Sequence, residues 1–396
     1  MRVTDISVTV ADTHAALQGL VSGDRDADDA EGFAPFTLWY RYPRWCLPYL
    51  RADNGDPWLA ALLYPAMRAA ERLVIPVPVS RRLLEALPDI QAIYAAFDRR
   101  ATPVAVEAMP RTAPLPTDTA TSAQGLFFSL GVDSFYNLLA NEQEHPGDGQ
   151  TISHLIAIDG IDTAHDGWDE VFPSALFANL VRVAAERGKT LLPVSTNIRQ
   201  EGQRLAPWPM HHGGALASVA LALGMFLERV TIAASATYAT LYPWGSHPLL
   251  DPLWSTESLT VIHDGCERDT IEKTRLIVRD PLVRETLRVC PWAGRGYNCG
   301  RCLKCLRTAI DLLQMGILAD CPTLPQRIDP ALLREVLDHG SGPVHLAAFR
   351  TRLARFEAVD GYEDLRDAIA DYLRAQDHPP RRHASRPRRF WRRDKG

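Results

Sequence analysis

The chain has 396 residues, 46% of them hydrophobic and 23% charged, with a net charge of -5. That balance fits a globular protein of two or three domains and names no charged partner. Seven cysteines, four of them inside Cys290–Cys305, exclude an evenly spaced disulfide framework and point to a reducing, cytoplasmic setting and a metal. "MRVTDISVTVADTH" has neither a basic start nor a long apolar core, so no targeting signal is expected. "GGALASVALALGMFL" (213–227) is too short to span a bilayer and ends at Glu228-Arg229; it is expected as a buried helix, with no membrane partner.

Residues 1–110 mix two patterns. "FTLWYRYP", "RLVIPVPVS" and "TPVAVEAMP" read as strands, whereas "DPWLAALLYPAMRAAE" and "SRRLLEALPDIQAIYAAF" carry apolar residues at helical spacing, the second with Ser80 as N-cap. This is expected to be a smaller α+β domain, followed by a Pro-, Thr- and Ala-rich linker at 111–125. From residue 126 strands and helices alternate: "LFFSL", "SFYNLLANE", "HLIAIDG", "FPSALFANLVRVAAERGK", "TLLPVS", "GGALASVALALGMFLE", "RVTIAAS". Alternation of this kind predicts an α/β fold with a parallel sheet covered on both faces, and ligands beyond the strand C-termini. The turns so marked are "SLGVDS", "DGIDTAHD", "STNIR" and "ASATY". Residues 311–376 read as a helical segment, and 377–396 as a disordered tail rich in Arg and Pro.

The turn Ser129-Leu130-Gly131-Val132-Asp133-Ser134 joins a strand to a helix. It offers free backbone amides at a helix start, two hydroxyls, and an aspartate able to hold Mg²⁺, which is what a pyrophosphate needs. Asp133 or Ser134 acting simply as a helix cap is the plain alternative. "FFSLGVDSFYNLL" resembles the PP-loop of the ATP pyrophosphatase superfamily (adenine nucleotide alpha hydrolase-like, HUP-like and Rossmann-type in fold), whose usual form is S-G-G-x-D-S/T. The resemblance implies cleavage of ATP to AMP and pyrophosphate, with adenylation of a carbonyl, carboxylate or amide oxygen. A nitrogen or sulfur nucleophile would then displace AMP. One position departs from the pattern: Leu130 stands where the family has its first Gly. Leucine in the left-handed region is strained, so either the turn is ordinary at 130 or the pyrophosphate pocket is altered.

Cys290, Cys299, Cys302 and Cys305 follow a C-x₈-C-x₂-C-x₂-C spacing. Four thiolates with no open position describe a structural zinc site, with an iron–sulfur cluster and a redox thiol as competing readings. Cys46, Cys266 and Cys321 are expected as buried thiols. This spacing after a PP-loop resembles the 7-cyano-7-deazaguanine synthase family over roughly residues 126–310. The resemblance implies a four-cysteine zinc knob at the end of the α/β domain and, because residues 1–110 have no counterpart there, a relative with another substrate.

Between these motifs, "HDGCERDTIEKTRLIV" resembles the region where PP-loop enzymes carry a lysine before a helix that points at the phosphates, which implies Lys273 for neutralising a leaving pyrophosphate; a solvated helix lysine is the alternative. His211 and His212 are placed at a helix start, where His212 can bind phosphate or move a proton. In the related synthases a loop at the place of 242–257 frames the acceptor, so the resemblance implies that Trp244, His247 and Asp251 form a pocket for a planar, nucleobase-like acceptor; a plain surface loop is the alternative. Asp159 ends the second strand and is a candidate adenosine contact. The expected function is thus an ATP-dependent, adenylating carbon–nitrogen ligase using ATP, Mg²⁺ and Zn²⁺, with a homodimer plausible. The alternative is a catalytically degenerate nucleotide- or RNA-binding zinc protein, its basic tail contacting nucleic acid.

Overall fold

The computed structural model describes residues 1–24, 33–116, 123–161, 174–290, 297–340, 349–354 and 362–377. The expectations for the tail at 378–396, the middle of the linker and the second half of "DGIDTAHD" lie outside the described residues. The chain divides into two compact units, one of Met1–Cys299 with Asp320–Thr323, the other of Gly300–Ala319 with Leu324–Gly396.

The first unit holds β1 (Arg2–Val10), β2 (His14–Ser22), β3 (Phe36–Pro43), β4 (Leu73–Val74), β5 (Val106–Glu107), β6 (Ala123–Phe127), β7 (His154–Asp159), β8 (Thr190–Thr196), β9 (Leu227–Ala233) and β10 (Thr260–Asp264). Among the described residues these form one mostly parallel sheet in the order β10-β9-β6-β7-β8-β3-β2-β1-β4-β5. The first five strands of that order are parallel neighbours, the arrangement expected for the α/β part. The strands before residue 110 extend this same sheet rather than building one of their own. The seam is narrow, with β3 antiparallel to β8 only at Tyr40↔Thr196 and Arg41↔Ser195. Side chains reinforce it: Asn197 accepts from Trp39 N–H (3.0 Å) and donates to Thr37 O (2.8 Å), and Thr196 Oγ1 donates to Trp39 O (2.7 Å).

The helices of this unit are α1 (Asp56–Ala69), α2 (Arg81–Phe97), α3 (Val132–Glu144), α4 (Ser174–Glu186), α5 (Ile198–Leu205), α6 (Trp208–Leu221), α7 (Thr270–Ile277) and α8 (Pro281–Thr286). Ser80 caps α2 as expected, its Oγ accepting from Leu83 N–H at 3.1 Å. The apolar run 213–227 does not form one helix. α6 opens earlier, with Pro209 in its first turn, and stops at Leu221; β9 claims the run's end, where Leu227 pairs with Ala123. A continuous apolar run carries no period, so only its pairing partners decide between helix and strand. "RLVIPVPVS" shrinks to the two residues of β4, because Pro76 and Pro78 have no N–H to give a ladder. The β1–β2 hairpin, α5 and β10 were not anticipated.

The second unit is helical, as expected, with α9 (Leu303–Gln314), α10 (Pro330–Gly340) and a last helix, Glu363–Asp377. Ile310, Leu333, Leu337, Phe349 and Ile369 form its core beside a buried Arg352–Asp311 ion pair (2.5 Å). No described helix is long and apolar enough to cross a membrane.

Candidate functional site

The strand order turns at β6. Chain progress from β6 to β7 and β8 runs one way, and β9 and β10 lie on the other side. Such a reversal opens a crevice at the strand C-termini, here between β6 and β9. The Ser129–Ser134 turn leaves β6 at that point and enters α3.

Gly131 stands at the N-cap of α3 in extended conformation, with no side chain capping the helix. The first N–H groups of α3 are therefore left for an anion, with the helix dipole favouring negative charge. Ser134, buried, folds its hydroxyl back: Oγ–H donates to Gly131 O (3.1 Å), and Ser129 N–H approaches the same Oγ at 3.4 Å. Ser129 is exposed, and Val132 is buried in the first turn.

The turn is not ordinary at Leu130, which overturns the first of the two expectations for that position. Its φ is +61°, so leucine adopts the left-handed conformation a glycine would take there, with its side chain fully buried. Its carbonyl accepts from Arg288 N–H at 2.9 Å, tying the turn to the segment that leads to Cys290. The strain costs about 1–2 kcal/mol. This reverses the usual order of substitutions. Leu130→Ala loses the buried side chain and keeps the strain, whereas Leu130→Gly loses the side chain and sheds the strain. The glycine variant should thus be the more stable by about 1 kcal/mol in urea unfolding. An alanine variant as stable as glycine would contradict the left-handed turn.

Lys273 lies across the crevice. Its ammonium, 1% exposed, donates to Asp133 Oδ1 (3.1 Å) on the β6 side and to Ala234 O (2.6 Å) just after β9. The Tyr136 ring lies 5.5 Å away, adding a cation–π contact. A solvated lysine is thereby excluded. Burial and the neighbouring Glu267 carboxylate, which accepts from the phenol, push Tyr136 up to about 12. α7, which carries Lys273, is started by a reciprocal cap, Asp269 and Glu272 each accepting the other's N–H. Gly265 follows β10 with φ +93°; a Cβ there would lie 2.9 Å from Asn137 Oδ1 and 3.3 Å from Lys273 Nζ. Asn137, one turn after Asp133, donates to Asp264 Oδ2 at 3.2 Å. Asn137, Asp264 and Ala234 were missed in the sequence, where only "HDG" after an apolar stretch hints at them.

The other candidates are dispersed. Asp159 ends β7 in register with Ser195, at the same edge of the sheet. His212, half-buried, touches Trp208 and Trp244 (ring centroids 6.4 and 5.2 Å) and joins the 242–251 loop; no described contact joins it to Asp133 or Lys273. Loss of hydration lowers its pKa against the upward pull of Asp251.

His211 points away, Nε2–H donating to Ala61 O of α1 at 2.7 Å. Burial lowers its pKa from 6.5 to about 4. The unfolded chain then binds a proton that the fold refuses, so stability is lost as pH falls from 6.5 to about 4. The loss totals roughly 3 kcal/mol. His211→Gln, which keeps a donor, should flatten that acid limb in urea midpoints measured against pH; an unchanged limb would contradict the assignment.

The four cysteine sulfurs of Cys290, Cys299, Cys302 and Cys305 lie within 4.8 Å of one another and can hold a metal ion. Tetrahedral Zn–S bonds of about 2.3 Å set sulfurs about 3.8 Å apart, so the set fits with little adjustment. Gly300 takes φ +68°, which turns the chain so that Cys302 begins α9, and Cys302 Sγ accepts from Cys305 N–H at 3.5 Å. Asn298 braces the first ligand: Oδ1 accepts from Val289 and Cys290 N–H (2.9 and 3.2 Å), and Nδ2 donates to Leu287 and Thr323 O. The remaining cysteines, Cys46, Cys266 and Cys321, are buried as expected.

No family model, curated protein or solved structure matches the chain.

Proposed function

We propose that the protein is an ATP pyrophosphatase-type ligase, with Mg·ATP over the Ser129–Ser134 turn and Zn²⁺ in the four-cysteine cluster. The observation that carries this reading is the buried Lys273 ammonium, fixed between Asp133 and Ala234 O beside an uncapped helix N-terminus. A buried cation held there serves a developing negative charge better than it serves stability.

In this reading an acceptor oxygen attacks the α-phosphorus, the bond to the bridging oxygen breaks, and pyrophosphate leaves with the electron pair. Lys273 and the α3 amides neutralise that charge, a contribution of roughly 3–4 kcal/mol in a water-excluded site. Asp133 holds Lys273 through Oδ1 and has Oδ2 for Mg²⁺. A nitrogen nucleophile then displaces AMP. The zinc is structural, since four thiolates leave no open position. Trp244, which lies against His212, is left to stack on a small planar acceptor, since His247 and Asp251 are buried within the loop. The left-handed Leu130 supports a working turn over the degenerate, RNA-binding alternative, because the backbone path is kept despite the missing glycine.

The test is ³¹P NMR of Mg·ATP incubated with the protein and a small-molecule extract of its host, beside Asp133→Ala. The expected products are AMP and pyrophosphate, absent with the variant. ADP and phosphate, or equal turnover by the variant, would overturn the reading.

A further inference from the structure

We infer that His263 is an acid–base group of this site, an imidazole oriented by the buried Asp251 carboxylate that takes the proton from the nitrogen nucleophile. The inference rests on the adenylation reading above.

Asp251 begins a short helical turn, Asp251–Trp254, and is fully buried. A buried carboxylate needs several donors. It has three: Ser246 Oγ–H (2.6 Å) and His263 Nδ1 (2.7 Å) on Oδ2, and His247 N–H (3.3 Å) on Oδ1. Because an ionised carboxylate only accepts, the neutral tautomer of the His263 ring carries its proton on Nδ1 and leaves its lone pair on Nε2. No described residue hydrogen-bonds that nitrogen. His211 differs, with its second nitrogen sealed against Gly202 deep beside α1.

The dyad lies at the same C-terminal edge of the sheet as the phosphate turn but on its opposite face, since successive strand residues point to opposite sides. His263 is the penultimate residue of β10, at the C-terminal edge of the sheet. The next residue, Asp264, accepts from Asn137 of α3, and the one after, Gly265, packs beside Lys273 Nζ. Two residues span at most about 7 Å of chain, so the dyad and the phosphate turn share one edge. Pinning the 242–256 loop would need only Ser246 and the His247 amide; the imidazole adds a base held in one tautomer.

In the step assigned to it, the nucleophile's lone pair forms a bond to the adenylated carbon while its N–H proton passes to Nε2. The carbon–oxygen bond to AMP then breaks, AMP leaving with the electron pair. The imidazolium formed is paired with Asp251. Asp251 is a positioning residue here.

His263→Asn tests the assignment, because its amide keeps a donor near the Nδ1 position and removes the base. Two rates are read with Mg·ATP and the same extract: ATP–[³²P]pyrophosphate exchange for adenylation, and AMP release for the whole reaction. The variant should lose about 100-fold in AMP release and far less in exchange. Hydroxylamine, a strong nitrogen nucleophile already unprotonated at neutral pH, should restore AMP release in the variant. Unchanged AMP release, a parallel loss of exchange, or no rescue would overturn the role of His263. No exchange in the wild type would overturn the adenylation reading itself, and this role with it.

Discussion

Asp133→Ala is expected to destabilise the first unit by about 3 kcal/mol, and Lys273→Met by clearly less. The two residues form one ion pair, yet their surroundings differ: Lys273 is 1% exposed and Asp133 32%. Removing the aspartate strands a buried ammonium with one carbonyl and the face of Tyr136. Removing the lysine leaves a carboxylate that water already reaches, and methionine refills the buried volume. Urea unfolding of both variants checks the order. Equal losses, or the reverse order, would mean that Lys273 is not held mainly by Asp133.

The purified protein is expected to carry one zinc per chain, lost in Cys299→Ser and Cys302→Ser and kept in Cys46→Ser and Cys321→Ser. The chemistry behind the difference is thiolate supply. Burial pushes Cys46 up to about 12 and Cys321 to about 11, so both remain thiols. The four clustered sulfurs can instead share a cation, and such sites bind zinc with roughly 10–16 kcal/mol. Asn298→Ala, which removes the brace on the Cys290 backbone, should weaken metal affinity about 10–100-fold without removing a ligand. Elemental analysis and competition with a chelator give both results. Iron with visible absorption would replace zinc by an iron–sulfur cluster, and metal-free protein of full stability would end the metal reading.

Local features were legible in the sequence. The Ser80 cap, the strand–turn–helix and the cysteine spacing each depend on neighbours within a few residues, and each is in the structure, although the strand is Ala123–Phe127 and so begins inside the expected 111–125 linker. Features set by distant partners were not. β10 is a short, half-exposed segment that becomes a strand by pairing with β9. The first hundred residues join the sheet through two β3–β8 pairs and the Asn197 side chain, which no composition change announces. His211 and His212 are adjacent in sequence but enter different surroundings, because a helix turns about 100° per residue. Lys273 was singled out, but its partners Asp133 and Ala234 O lie 140 and 39 residues away. Leu130 is the sharpest case: residue type argued against φ > 0, and tertiary packing of a buried side chain overrode it.

The Ser129–Ser134 turn and Lys273 are the proposed pyrophosphate cradle. Titration calorimetry with inorganic pyrophosphate and Mg²⁺ addresses it without any knowledge of the acceptor. One site per chain is predicted for the wild type, weakened about 100-fold in Lys273→Met, as expected for losing a desolvated charge-assisted contact. Equal affinity in the two proteins, or no binding to the wild type, would contradict the account.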